Sequence, residues 1–145
     1  FDISEAGRQK AAALAEEQGV PLRYKVGALP ELSYQEAQFD AIGLIYAHFP
    51  PPIRSAYHRL LATLLKTGGK VLLEAFSKNH LAYRAENPSV GGPPSLPALF
   101  SIEEVKQDFP NFEIDLLEEQ VVSLNEGNCH VGEGSVIRFV GTKLG

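Results

Sequence analysis

The feature that most narrows the fold is a pair of short apolar runs separated by one amphipathic stripe. The run Ala41-Ile42-Gly43-Leu44-Ile45-Tyr46-Ala47 is almost wholly apolar, and Val71-Leu72-Leu73-Glu74-Ala75-Phe76 repeats the pattern. Runs of this length suit strands covered on both faces in a parallel sheet. Between them Ile53, Ala56, Tyr57, Leu60, Leu61, Leu64 and Leu65 recur at three- and four-residue steps, the pattern of a helix packed on one side. Pro50-Pro51-Pro52 and Gly68-Gly69 punctuate its ends. A strand, a helix and a strand joined this tightly form a right-handed crossover, so the two strands are expected to run parallel.

The flanks extend this unit. Ser4 is an N-cap for an alanine-rich helix through Glu17, with Glu5 placed well for the helix dipole. Gly19 and Pro21 stop that helix, Leu22-Arg23-Tyr24-Lys25-Val26 alternates as a strand does, and residues 28–38 form a polar connection. Residues 77–100 are rich in proline and carry Gly91-Gly92, and a connection this long usually serves a site or is disordered. Ser101 and Glu104 spell a capping box, with Phe100 placed to staple onto Val105. Residues 112–124 and 135–143 read as strands that pair antiparallel through a link over residues 127–134. The predicted class is therefore α/β: a Rossmann-like doubly wound sheet, mostly parallel, with an antiparallel C-terminal hairpin.

Composition excludes several classes. Thirteen basic against eighteen acidic residues give a net charge of −5, which disfavours a broad grip on nucleic-acid phosphates. One cysteine excludes an internal disulfide framework, and no apolar run approaches the roughly 20 residues of a membrane helix. With no signal-peptide pattern, the expected location is cytoplasmic. The 145 residues contain no methionine, and Phe1-Asp2-Ile3-Ser4 reads like the end of a strand. The expectation is a single partial domain over residues 1–145, lacking its N-terminal side.

Several residues carry candidate chemistry, each with two readings. A carboxylate such as Asp2, at the end of a strand, can accept hydrogen bonds from ribose hydroxyls or satisfy the free amides of the next helix. His48 follows a buried strand and can take a proton near neutral pH or simply shape its loop. Glu74 interrupts an apolar strand, so it marks a site or pairs with a structural cation. The long loop with Tyr83, Arg84 and Asn87 is either a lid or a surface excursion. Gly132-Glu133-Gly134 precedes a strand rather than opening a helix, so it is not a phosphate loop, and Cys129 with His130 lacks the paired spacing of a metal site.

Taken in order, these segments resemble class I S-adenosylmethionine-dependent methyltransferases. Phe1-Asp2-Ile3-Ser4 with its following helix is similar to their second strand and helix, Gln38-Phe39-Asp40-Ala41-Ile42 to the entry into the fourth strand, and Thr67-Gly68-Gly69-Lys70-Val71-Leu72-Leu73-Glu74 to the turn and fifth strand. Glu74-Ala75-Phe76, Gly91-Gly92-Pro93-Pro94 and the tail from Asn125-Glu126-Gly127 through His130 into Ser135-Val136-Ile137-Arg138 resemble the small bacterial tellurite-resistance-like group. The resemblance implies S-adenosylmethionine as cofactor, a small-molecule acceptor and no metal. It implies that Asp2 binds the ribose, that Ile3, Ala28 and Leu29 line the adenine pocket, and that Tyr46 and His48 border cofactor and acceptor as the catalytic candidates. Glu74, Tyr83 and His130 fall on the acceptor side. The family's first strand and glycine-rich motif have no counterpart in the 145 residues, so weak cofactor binding is expected of this chain alone. The alternatives are a non-catalytic module that oligomerises through an exposed sheet edge, and another nucleotide-binding α/β enzyme.

Overall fold

A computed structural model describes residues 1–127 and 129–145. The chain divides into two compact units, Phe1–Gln35 and Glu36–Gly145.

In the first unit, helix α1 (Glu5–Glu17) starts as expected, with the Ser4 hydroxyl accepting the Gly7 N–H at 2.9 Å. It stops at Gln18, and Gly19 follows in the left-handed region at φ +64°. The strand expected at residues 22–26 shrinks to a single parallel bridge between Asp2 and Val26, because the facing segment offers almost no length to pair with. The polar connection folds into a short 3-10 turn, Leu29–Glu31, which buries Leu29 and Leu32.

The second unit is a four-stranded mixed sheet. Strand β1 (Phe39–Ile45) pairs parallel with β2 (Leu65–Phe76), with helix α2 (Pro51–Leu64) between them. The short helices α3 (His80–Glu86) and α4 (Ile102–Asp108) precede the long hairpin of β3 (Phe112–Glu126) and β4 (His130–Lys143). The sheet order is β1-β2-β4-β3, with β4 antiparallel to both neighbours. The parallel crossover and the antiparallel end both follow the sequence pattern.

Three expectations change. Strand β2 begins at Leu65, because residues 67–69 fit as an irregularity in its pairing with β1. Strand β4 begins at His130, so most of the expected link is ladder. The strands are also not covered on both faces. Val71, Leu73 and Ala75 point into the core with Ile137 and Phe139, whereas Leu72 is 42% and Ile45 62% exposed.

The buried side of α2 is rotated from the expected apolar stripe: Arg54, His58, Leu61 and Leu64 face inward, and Ile53 stays exposed. Polar groups are tolerated there because they are partnered. His58 donates Nδ1–H to Asp108 Oδ2 at 2.6 Å, between the rings of Phe100 and Phe109. Arg54 donates to the Pro97 and Leu99 carbonyls at 3.3 and 3.1 Å, pairs with Glu104 at 3.3 Å and lies over the Phe100 ring. The capping box at α4 is present as predicted, with Phe100 and Val105 both buried.

Burial alone would raise the Asp108 carboxyl, but hydrogen bonds from His58 and Ser55 and the nearby Arg54 charge outweigh it and hold it below the ordinary carboxylate value. A depressed folded value gives stability that is present above the ordinary pKa of about 3.9 and is lost as pH falls through the lowered one. Asp108→Ala is expected to cost roughly 3–5 kcal/mol in urea unfolding at pH 7, since it leaves His58 buried without its partner. The difference from wild type should shrink in strong acid.

Candidate functional site

The C-terminal ends of parallel strands in an open α/β sheet are where ligands collect, and here β1 and β2 end at Ile45 and Phe76. Tyr46 follows β1 with φ +51°, a left-handed conformation uncommon for a bulky residue, and its N–H donates to the Glu74 carbonyl at 2.7 Å. That turn places the phenol across the sheet end. Its hydroxyl donates to Glu74 Oε1 at 3.0 Å, and its ring stacks on Phe76 at 4.8 Å.

Glu74 lies opposite Arg138 in the β2–β4 ladder, and Arg138 Nε donates to Glu74 Oε2 at 2.6 Å. Arg138 Nη1 continues to Gln120 Oε1 at 3.3 Å. The carboxylate in the apolar strand is thus paired on one oxygen with a cation and on the other with a phenol. Burial first, then the hydrogen bond and charge of Glu74, push the Tyr46 phenol well above its ordinary pKa. Tyr46 therefore acts as a fixed hydrogen-bond donor rather than a proton acceptor.

His130, at the start of β4, completes the cluster. Its ring meets Tyr46 edge-on at 5.1 Å and Phe76 at 5.4 Å, and its Nδ1 lies 3.4 Å from Glu126 Oε2. Its side chain is 26% exposed, and its Nε2 has no partner among the described residues. His48 is different. Its Nδ1–H donates to the Ala98 carbonyl at 2.9 Å and its Nε2 accepts the Phe76 N–H at 3.3 Å. Both nitrogens bond to backbone, the contacts that the loop-shaping reading of His48 calls for.

The long connection is neither a bare excursion nor a free lid. Helix α3 and a 3-10 turn at Pro88–Val90 pack on β4, and the segment buries Val90 and Leu99 against Phe76, Leu124 and Val136. Asn87 Nδ2 donates to the Val131 carbonyl and Arg84 Nε to the Gly92 carbonyl, both at 3.1 Å. Gly91 and Gly92 have φ +71° and +78°, and a Cβ on Gly92 would lie 2.8 Å from Phe76 and 3.0 Å from His80. A Cβ on Gly91 would run into the Cys129 carbonyl. Tyr83 is half-buried on α3 and is not among the clustered rings.

The structure thus brings together Tyr46, Glu74 and His130 of the predicted residues. It adds Arg138, Gln120 and Glu126, whose roles no motif signalled; only the cross-strand pairing reveals them. Asp2, Ile3, Ala28 and Leu29 belong to the first unit. Asp2 Oδ1 accepts the Ser4 N–H at 2.8 Å, as its helix-start reading requires, and its Oδ2 has no partner among the described residues. Ile3 is 79% exposed, whereas Leu29 is buried at 3%. Ala28 N–H donates to Glu31 Oε2 at 3.3 Å. A cavity of about 320 Å³ in this unit, lined by Arg8, Ala12, Glu16, Leu22 and Tyr24, takes in none of these four residues.

No protein-family model matches the chain, and no curated protein matches it in sequence. Solved structures do. The chain is similar to a SAM-dependent methyltransferase from Methanosarcina mazei, with a TM-score of 0.71 at 18% identity over 99% of this chain and 80% of that one. TehB from Haemophilus influenzae gives 0.71 at 14% identity over 97% of this chain. A Burkholderia thailandensis 1,6-didemethyltoxoflavin-N1-methyltransferase, with bound 1,6-didemethyltoxoflavin and S-adenosylhomocysteine, gives 0.58 at 18% over 94%. The chain spans 48% and 57% of the length of these last two.

The raised Tyr46 pKa can be read in a tyrosinate absorbance titration. The difference between wild type and Tyr46→Phe should have its midpoint well above the ordinary value of about 10, and Glu74→Gln should move it earlier.

Proposed function

We propose, from a fold similar to that of Rossmann-like methyltransferases, that the protein to which this chain belongs is an S-adenosylmethionine-dependent methyltransferase acting on a small-molecule acceptor, in the tellurite-resistance-like group. The observation that carries the reading is the convergence of Tyr46, Glu74, Arg138 and His130 at the ligand-collecting end of a sheet with this topology. The similarity to TehB supports the narrower grouping.

In this reading the Asp2 carboxylate, oriented by the Ser4 N–H and retaining an unpartnered oxygen, takes the ribose hydroxyls. Ile3, Ala28 and Leu29 flank the adenine. The cofactor supplies a methyl group already activated on a sulfonium, so the chain's task is alignment and exclusion of water. Tyr46 and Glu74 fix the acceptor's orientation, with Tyr83 at the margin. His130, whose Nδ1 faces Glu126 and whose Nε2 has no partner among the described residues, takes the proton from an acceptor that must lose one. His48 positions the loop. This reading places none of the 145 residues on the methionine part of the cofactor.

Calorimetry with S-adenosylhomocysteine tests this. A form carrying a glycine-rich segment ahead of Phe1 should bind, the 145-residue chain should bind weakly or not at all, and Asp2→Ala in the longer form should lose about 10–100-fold. Equal tight binding by both forms would refute the division of the site, and no binding by the longer form would refute the methyltransferase reading.

A second reading is an interaction module. It is favoured by β1, which ends the sheet order with Ile45 exposed and its outer edge without a strand neighbour among the described residues. Light scattering should then show a concentration-dependent dimer, whereas a stable monomer sinks it.

A further inference from the structure

Two histidines of the larger unit make the same connection at two places. His48 accepts the Phe76 N–H of β2 and donates to the Ala98 carbonyl, at 3.3 and 2.9 Å. His80 accepts the Ser135 N–H of β4 at its Nδ1 and donates Nε2–H to the Gly91 carbonyl, at 3.3 and 3.1 Å. Each imidazole thus spans from a sheet amide to a carbonyl of residues 77–100. The two rings lie nearly parallel to Phe76, at 5.8 Å and 20° for His48 and at 3.9 Å and 25° for His80. His80 is wholly buried.

A neutral imidazole has one donor and one acceptor, and here both are matched on both rings. A proton would turn each accepting nitrogen into a donor facing an amide N–H fixed in the sheet. We infer that His48 and His80 form a proton-sensitive clasp, closed when both are neutral, that fastens the middle of residues 77–100 to the sheet end and loosens when they are protonated. The inference does not depend on the proposed methyltransferase activity.

The charged and titratable groups acting on His48 are Arg54 from α2 and His80 from α3; those acting on His80 are Arg84 from α3 and His130 from β4. All four oppose a further positive charge. Burial, the largest effect on each ring, works in the same direction, and both histidines are held below the ordinary value. The sign follows: the clasp is fully closed above the unfolded histidine pKa of about 6.5 and opens as pH falls through the lowered folded values. Arg54 on the Pro97 and Leu99 carbonyls, and the Phe100 N–H on the Phe76 carbonyl, hold the far end in place without a histidine.

Amide hydrogen exchange from pH 7.5 to 5, corrected for intrinsic rates, tests the clasp. Opening of residues 79–96 should rise as pH falls, by up to about tenfold per pH unit for each titrating histidine. Central amides of β2 and β4 should not follow. His48→Gln and His80→Gln keep a side-chain donor but not the titrating nitrogen, so each should be looser at pH 7.5 with a shallower slope, and the double variant should be insensitive to pH. An unchanged slope in the double variant, or a segment that opens together with the core, overturns the inference. Should the double variant fail to fold, ring-nitrogen NMR of wild type decides: Nδ1–H on His48 and Nε2–H on His80 at pH 7 are expected, and the opposite tautomers or charged rings overturn it.

Discussion

The larger unit depends on β2 having a hydrogen-bonded neighbour on each side, one parallel and one antiparallel. That double pairing fixes which residues alternate between the faces. Val71, Leu73 and Ala75 go to the core. On the other face Leu72 meets solvent, Glu74 is half-buried and Phe76 is fully covered, packed with Val90 and Leu99 of the 77–100 segment and with Leu124 and Val136 of the hairpin. Along three alternate positions the environment passes from wet to dry, and the polar cluster sits at the boundary. A carboxylate is affordable there because the same register sets Arg138 opposite it.

The chemistry at this end of the sheet is built from compensated groups. Glu74 is paired with Arg138, Tyr46 is held as a donor, and His48 and His80 are neutral struts. Low local polarity strengthens each of these contacts and makes an unmatched partner costly. Among the described residues, His130 is the one histidine that combines an unpartnered ring nitrogen with access to solvent; the corresponding Nε2 of His58 is sealed among aromatic rings.

Much of the fold was legible because it rests on periodicity. The apolar runs, the helix between them and the capping box at Ser101 and Glu104 are local signals, and the structure contains each of them. What failed depended on distant partners. Leu72 and Ile45 looked buried because an apolar run does not say how many faces are covered. Arg54 and His58 lie outside the apolar stripe read for α2 yet face inward, because Glu104, Asp108 and the carbonyls near Pro97 supply partners. The site divides the same way. Glu74 stood out as a carboxylate in an apolar strand, but its partners lie 28 and 64 residues away in sequence. His48 looked reactive because sequence cannot count the backbone groups folded onto its ring.

Gly91 and Gly92 have a consequence for how relatives of this chain could diverge. Both backbones press against side chains or carbonyls where no Cβ fits, so this point of the segment behaves like a hinge pin set into the hairpin. Residues 93–96, just beyond it, meet no such restriction, and the next fixed point is the carbonyls held by Arg54 and His48. Length and composition can therefore drift between the two fixed points while the glycines stay. In a set of homologous sequences the signature would be an invariant glycine pair followed by a stretch of variable length.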